Sequence, residues 1–217
     1  MKKIKVVLIA VAILIGANVS AQNSPLTFGV RAGGNLSTFI GDYTDELSPK
    51  FGFNVGVTMD YAFSQNLFLM TGLEFTTKGT RFEDSIMEEG IRINVTATMN
   101  PMYLQLPVHL GYKIDIGNDM RLVLRAGPYI AYGIGGQITA RGSARVEGVT
   151  ISVEESEDIF GEDGMERFDF GVGLGVGVEF GRFNVGLGYD VGLRNLTGES
   201  DVRWNNMNAH LTVGFRF

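Results

Sequence analysis

Cysteine is absent from the 217 residues. Disulfides, thiolate metal sites and thiol nucleophiles are therefore excluded. So is a lipoprotein anchor, which needs a cysteine to carry its lipid. Proline is scarce at 5 residues. With so little proline, the 30 glycines do not read as collagen or as a disordered linker, and they require a positional explanation. Excess positive charge is also missing. The net charge is −6, no basic stripe is present, and no nucleic-acid partner is expected. After the first 21 residues no apolar run is long enough for a membrane helix, so any membrane span must be made of strands.

What is present begins with a secretory signal over residues 1–21. Lys2, Lys3 and Lys5 form a positive start. Val6 to Ala17 is an apolar run of 12 residues, about 18 Å as a helix and short of the roughly 30 Å hydrocarbon core. Val19-Ser20-Ala21 supplies the small residues of a cleavage site, so the mature chain starts at Gln22. Loss of the three lysines takes the charge to −9 (−6 minus 3). Residues 22–217 are expected to form one outer-membrane β-barrel domain.

The mature chain is a series of period-2 segments. Phe168, Phe170, Val172, Leu174, Val176, Val178 and Phe180 share one face, with Asp169, four glycines and Glu179 on the other. Phe183, Val185, Leu187, Tyr189, Val191 and Leu193 repeat the pattern after Gly181-Arg182, a hairpin turn. Six more segments follow it: 26–36, 51–63, 67–78, 102–114, 121–132 and 208–217. Most run 10 to 13 residues, near the length of a tilted membrane strand. Short turns alternate with long polar connections, the longest from Gly133 to Arg167. The pattern predicts a closed antiparallel up-and-down transmembrane β-barrel of eight strands, with short periplasmic turns and long outer loops. Ile91, Ile93, Val95, Ala97 and Met99 also alternate, but parity breaks at Asn100-Pro101. That stretch predicts a hairpin projecting past a bulge.

Alternation alone does not say which face is inside. Glycine on a solvated strand face packs nothing, whereas inside a narrow barrel it makes room for long neighbours. Aromatics gather near the strand ends. Phe28, Tyr61, Phe63, Tyr112, Phe180, Phe183, Phe215 and Phe217 mark one rim; Phe51, Phe53, Phe75, Tyr132, Phe168 and Phe170 mark the other. The chain also stops on an alternating strand. Phe215 and Phe217 are the expected signal to the barrel assembly machinery. The apolar face is therefore expected to meet outer-membrane lipid.

Inward parity gives six cations, Arg31, Lys78, Lys113, Arg125, Arg194 and Arg216, and five anions, Asp60, Glu74, Asp169, Glu179 and Asp190. Asn35, Asn54, Gln105, His109 and His210 join them. Eight strands enclose only enough space for side chains, so this set predicts a packed polar lumen. Glu74, Glu179 and Asp190 are the acids expected to meet Arg125, Arg194 and Arg216.

Tyr103-Leu104-Gln105-Leu106-Pro107-Val108 resembles a segment of the PorT-like outer-membrane β-barrel family. Ala126-Gly127-Pro128-Tyr129, Phe168-Asp169-Phe170-Gly171, the opening Gly29 to Ser37 and the ending Gly214-Phe215-Arg216-Phe217 are similar to its other landmarks. The resemblance implies an outer-membrane barrel of Gram-negative bacteria. The secretion and surface-translocation role behind the family's name is carried by no motif here.

Catalytic, cofactor and metal sites are not expected. The two histidines are placed at opposite ends of the barrel, His109 low and His210 near the outer end. No Gly-x-Ser-x-Gly elbow is present. Glu154, Glu155, Glu157, Asp158, Glu162, Asp163 and Glu166 make an acidic run without EF-hand spacing, expected to be a solvated loop. The reading is a structural or interaction barrel that offers acidic outer loops to a protein partner. The alternatives are a narrow channel, an accessory of an export machine, and, less favoured, a surface protease or acyltransferase.

Overall fold

The computed structural model describes residues 25–88, 91–146, 149–161, 164–198 and 201–217. The expected signal peptide, as well as Glu162 and Asp163 of the acidic run, lies outside the described residues. Ten strands are present among those described: β1 Leu26–Gly41, β2 Leu47–Ala62, β3 Leu67–Thr77, β4 Thr80–Glu88, β5 Ile91–Gly117, β6 Met120–Val146, β7 Val149–Asp158, β8 Phe168–Phe180, β9 Phe183–Gly192 and β10 Trp204–Arg216. All pairings are antiparallel. β1 pairs with β2 and β10, β2 with β3, β3 with β5, β5 with β6, β6 with β8, β8 with β9, and β9 with β10.

The period-2 segments form this wall because alternate residues meet different solvents. On β5, Met102, Leu104, Leu106, Val108, Leu110 and Tyr112 are exposed, while Tyr103, Gln105, His109 and Lys113 are buried. The same split runs along β8 and β9, where Leu174 and Leu187 stand about 60% exposed and Asp169, Glu179 and Asp190 are buried. Water-soluble monomers rarely expose apolar patches beyond a few hundred Å². An apolar outside around a polar inside is the arrangement lipid requires. Aromatic rings touch along the short-turn rim, in a chain Phe180, Phe183, Phe215, Phe217 with centroids 5.2–5.9 Å apart.

At the short-turn end, Asn118 and Asp119 both take left-handed φ (54° and 57°), as a two-residue hairpin needs. The opposite end departs from the expectation. Residues 133–167 are not one long loop. β5 and β6 each run 27 residues and continue beyond the wall, with β4 paired to β5 and β7 paired to β6. The result is a four-stranded extension; among the described residues β7 pairs with β6 alone. The alternation in 137–158 is muted because alanine, glycine, serine and threonine occupy many positions. Hence sequence contrast is weak where backbone pairing is strong.

The extension inverts the wall. At the junction Met102 pairs with Gly135 and Tyr103 with Gly133, leaving one extra residue on β6. Such a bulge shifts parity by one. Gly136 adopts φ +146°, and a Cβ there would strike the Asn100 carbonyl and Pro101. Below the junction the outward residues are Met102, Leu104 and Leu106. Above it Asn94, Thr96, Thr98, Asn100, Thr139, Arg141 and Ser143 share the outward face. Met99 and Ile138 turn inward onto a buried cluster.

Candidate functional site

The inward side chains stack in layers. The outermost layer is apolar: Phe39, Tyr103, Tyr129, Ile159, Phe160 and Leu196 are all 5% exposed or less. Ile159 and Phe160 come from the connection between β7 and β8, within the stretch read as a solvated acidic loop. They fold inward because Gly133 leaves the space that the Phe160 ring fills. Phe160 also meets Tyr103 edge to face at 5.8 Å. The cluster caps the lumen.

Beneath the cap lies Lys78, with no side-chain exposure. Its Nζ is 3.6 Å from Asp169 Oδ2 and stands over the rings of Tyr129 (4.7 Å) and Tyr103 (5.2 Å). Asp169 also accepts hydrogen bonds from Asn206 Nδ2 at 2.8 Å and Tyr129 Oη at 3.2 Å. All three partners fall on Oδ2, so that oxygen is paired and hydrogen-bonded as a buried charge requires, while Oδ1 and Lys78 Nζ have no hydrogen-bond partner among the described residues.

Asp190 forms the next layer. Gln105 Nε2 donates to it at 3.3 Å, and His210 Nε2 lies 3.7 Å away. His109 and Asp190 converge over the bare backbone of Gly173. The two histidines thus approach one carboxylate, which corrects their expected separation. Strands in a barrel are staggered, so position along a strand does not fix depth. Neither histidine has a hydroxyl partner among the described residues. Arg31 Nε donates to Glu74 at 2.6 Å. Met70 Sδ sits between two guanidinium groups, 3.8 Å from Arg31 Nη1 and 3.9 Å from Arg125 Nη1.

Nearest the short turns, Glu179 holds three cations: Arg216 at 2.9 Å, Lys113 at 3.1 Å and Arg121 at 3.4 Å. Lys113 also lies over the Phe68 ring at 4.6 Å. Asp60 lines the same end, with no ion-pair partner among the described residues.

Of the expected pairs, Arg216 with Glu179 forms. Glu74 instead takes Arg31, Asp190 takes His210 and Gln105, and Arg125 has no carboxylate partner among the described residues. Arg194 does not belong to the lumen. It follows the end of β9, pairs with Glu166 at 3.1 Å and lies over the outward Phe168 ring. Sequence reading missed Tyr103, Tyr129, Arg121 and Asn206. Parity would have found Tyr103, Arg121 and Tyr129, which match Gln105 and Arg125; Asn206 lies before the segment read as 208–217. For Ile159 and Phe160 no signal existed beyond two apolar residues in a charged stretch.

On the extension, Arg141 clasps Glu154 with two bonds of 2.9 and 3.1 Å. This hydrogen bonding holds the Glu154 carboxyl below its ordinary value. Among the described residues no group of three or more His, Asp or Glu is placed to hold a metal ion. Most of the inward charges are thus paired with one another.

A family model described as outer membrane protein beta-barrel domain matches residues 20–198. Among solved structures, the Ail attachment invasion locus protein of Yersinia pestis, in complex with the heparin analogue sucrose octasulfate, is 15% identical over 88% of this chain and 99% of its own, TM-score 0.34. Neisserial surface protein A is 13% identical over 88% and 97%, TM-score 0.38. A major outer membrane protein from Thermus thermophilus is 13% identical over 88% and 99%, TM-score 0.40. Likeness at this level says nothing of ligand or role. No curated protein matches.

Proposed function

The chain belongs to the outer membrane protein beta-barrel domain family, and on that premise we propose that it is a closed eight-stranded barrel with a packed lumen, holding a four-stranded sheet above the membrane surface to meet a protein partner outside the cell. The run of pairings from β1 through β2, β3, β5, β6, β8, β9 and β10 back to β1 supports closure. After export through removal of residues 1–21, an even strand count leaves both termini in the periplasm, and the short turns lie at that same end. Phe215 and Phe217 address the assembly machinery. Within the family we group the chain with the PorT-like barrels, on Tyr103–Val108 and Gly214–Phe217, and we read it as a non-enzyme.

One observation carries this reading. The outward face is apolar below the junction of Met102 with Gly135 and polar above it. A surface changes polarity where its solvent changes from lipid to water. Beyond that level β7 offers an edge with Ile151 and Val153 61% and 70% exposed, beside Glu155 and Glu157. A free edge with exposed apolar residues invites a partner strand, and acidic residues discourage self-pairing.

A photo-crosslinking residue at Val153 tests this in intact cells. The expected result is an adduct with an external protein, absent when the same residue replaces lipid-facing Leu187. No adduct from Val153, or equal adducts from both sites, would overturn the interaction role.

A further inference from the structure

Between the Asp190 layer and Glu179 lies a cavity of about 50 Å³. Arg31, Arg125 and Arg216 line it, together with Asp60, Glu179 and Asn184. Arg31 is committed to Glu74 and Arg216 to Glu179. Arg125 is not committed. Its Nη2 is buried with no hydrogen-bond partner among the described residues, and its Nη1 meets the Met70 sulfur. The side chain is held there by shape: Nε lies 2.6 Å from where a Cβ on Gly175 would be, and Nη2 reaches toward Gly186.

Charge points the same way. From the Asp190 layer to the short turns the lumen holds Arg31, Lys113, Arg121, Arg125 and Arg216 against Asp60, Glu74, Glu179 and Asp190, an excess of one cation (five minus four). Buried charge without a counter-charge is costly. A guanidinium cannot shed its proton to relieve it. The cavity has room for a halide ion or a few waters, and not for a sugar or a nucleotide.

We propose that this cavity is a binding site for a small monovalent anion, chloride being the ordinary occupant, held by Arg125 Nη2 with Arg31 beside it. The ion reaches it from the short-turn end, because Lys78 and the apolar cap close the other. Asp60 is the competitor. It faces the same cavity and would satisfy Arg125 through bridging water if no anion were bound.

Bromide replaces chloride and scatters anomalously. Crystals of the wild-type protein grown in sodium bromide should show an anomalous peak within hydrogen-bonding distance of Arg125 Nη2. In solution, the unfolding midpoint should rise by about 3–5 °C for each tenfold increase in chloride above the dissociation constant. Sodium gluconate of equal ionic strength, whose anion is too large for the cavity, should give no such rise. Asp60→Asn should strengthen the chloride effect by removing a repelling carboxylate, and Arg125→Met should abolish it. If Arg125→Met does not fold, the wild-type measurements decide. Water alone at the site, equal shifts in chloride and gluconate, or an Asp60→Asn protein that is weakened and indifferent to chloride would each overturn the proposal.

Discussion

Removing Glu179 should unbalance the short-turn end more than any other single truncation. Glu179 is 5% exposed and is the shared partner of three cations. The side chains of Lys113 and Arg216 are only 11% and 13% exposed. Arg121 is 41% exposed, so its contribution is screened and small. Stripping one member of a buried ion pair costs roughly 3–5 kcal/mol, because the partner is left charged and unpaired. Here two cations are stranded, yet both lie near the short-turn opening where water reaches them. The low end, about 3 kcal/mol, is therefore expected for Glu179→Ala. Glu179→Gln should lose most of the same amount, since it keeps the volume and discards the charge. Combining it with Arg216→Gln should recover part of the loss. Equilibrium urea unfolding from lipid vesicles, followed by heat-modified gel mobility, measures each step. A change below about 1 kcal/mol for both single variants would refute the view that the lumen charges hold one another.

Charge on the lipid face should cost more than charge on the extension. Val176→Arg and Leu187→Arg are each expected to lose about 2–4 kcal/mol, while Glu157→Lys on β7 leaves folded gel mobility unchanged; equal effects would reverse the assignment of faces. Purified protein in planar bilayers should give no stable single-channel steps, because Lys78 and the cap block the path. Reproducible steps, resized in Glu179→Ala, would mean the lumen is a conduit. Phe160→Ala removes a ring packed on Tyr103 and Gly133, at about 3 kcal/mol, and should admit protease to the connection around 159–167. Resistance equal to wild type would show that the cap is not packed.

Alternation makes the wall legible, because membrane strands face two unlike solvents along their whole length. Segments such as Phe168–Phe180 therefore carry a contrast no loop imitates. Parity likewise separates buried Asp169, Glu179 and Asp190 from exposed Leu174 and Leu187. It does not give height or partner. Neighbouring strands are staggered, so Glu74 meets Arg31 rather than Arg125, and His109 reaches the carboxylate that His210 also faces. Arg194 shares the parity of the lumen yet lies past the end of its strand, where parity no longer applies. The extension was least legible. On the proposed reading its residues 137–146 and 149–158 stand in water on both faces for much of their length, so small and polar side chains serve as well as apolar ones. Backbone pairing, which leaves little mark on composition, holds it together.

On the proposed reading the four-stranded extension faces outward from the cell and the short turns face the periplasm. The absence of cysteine allows a clean measurement. Ser152→Cys on β7 and Ser64→Cys in the turn between β2 and β3 are both at exposed positions. A membrane-impermeant maleimide applied to intact cells should label Ser152→Cys at once, and Ser64→Cys only after the outer membrane is permeabilised. Labelling of Ser64→Cys in intact cells, with Ser152→Cys protected, would mean that the barrel sits the other way round.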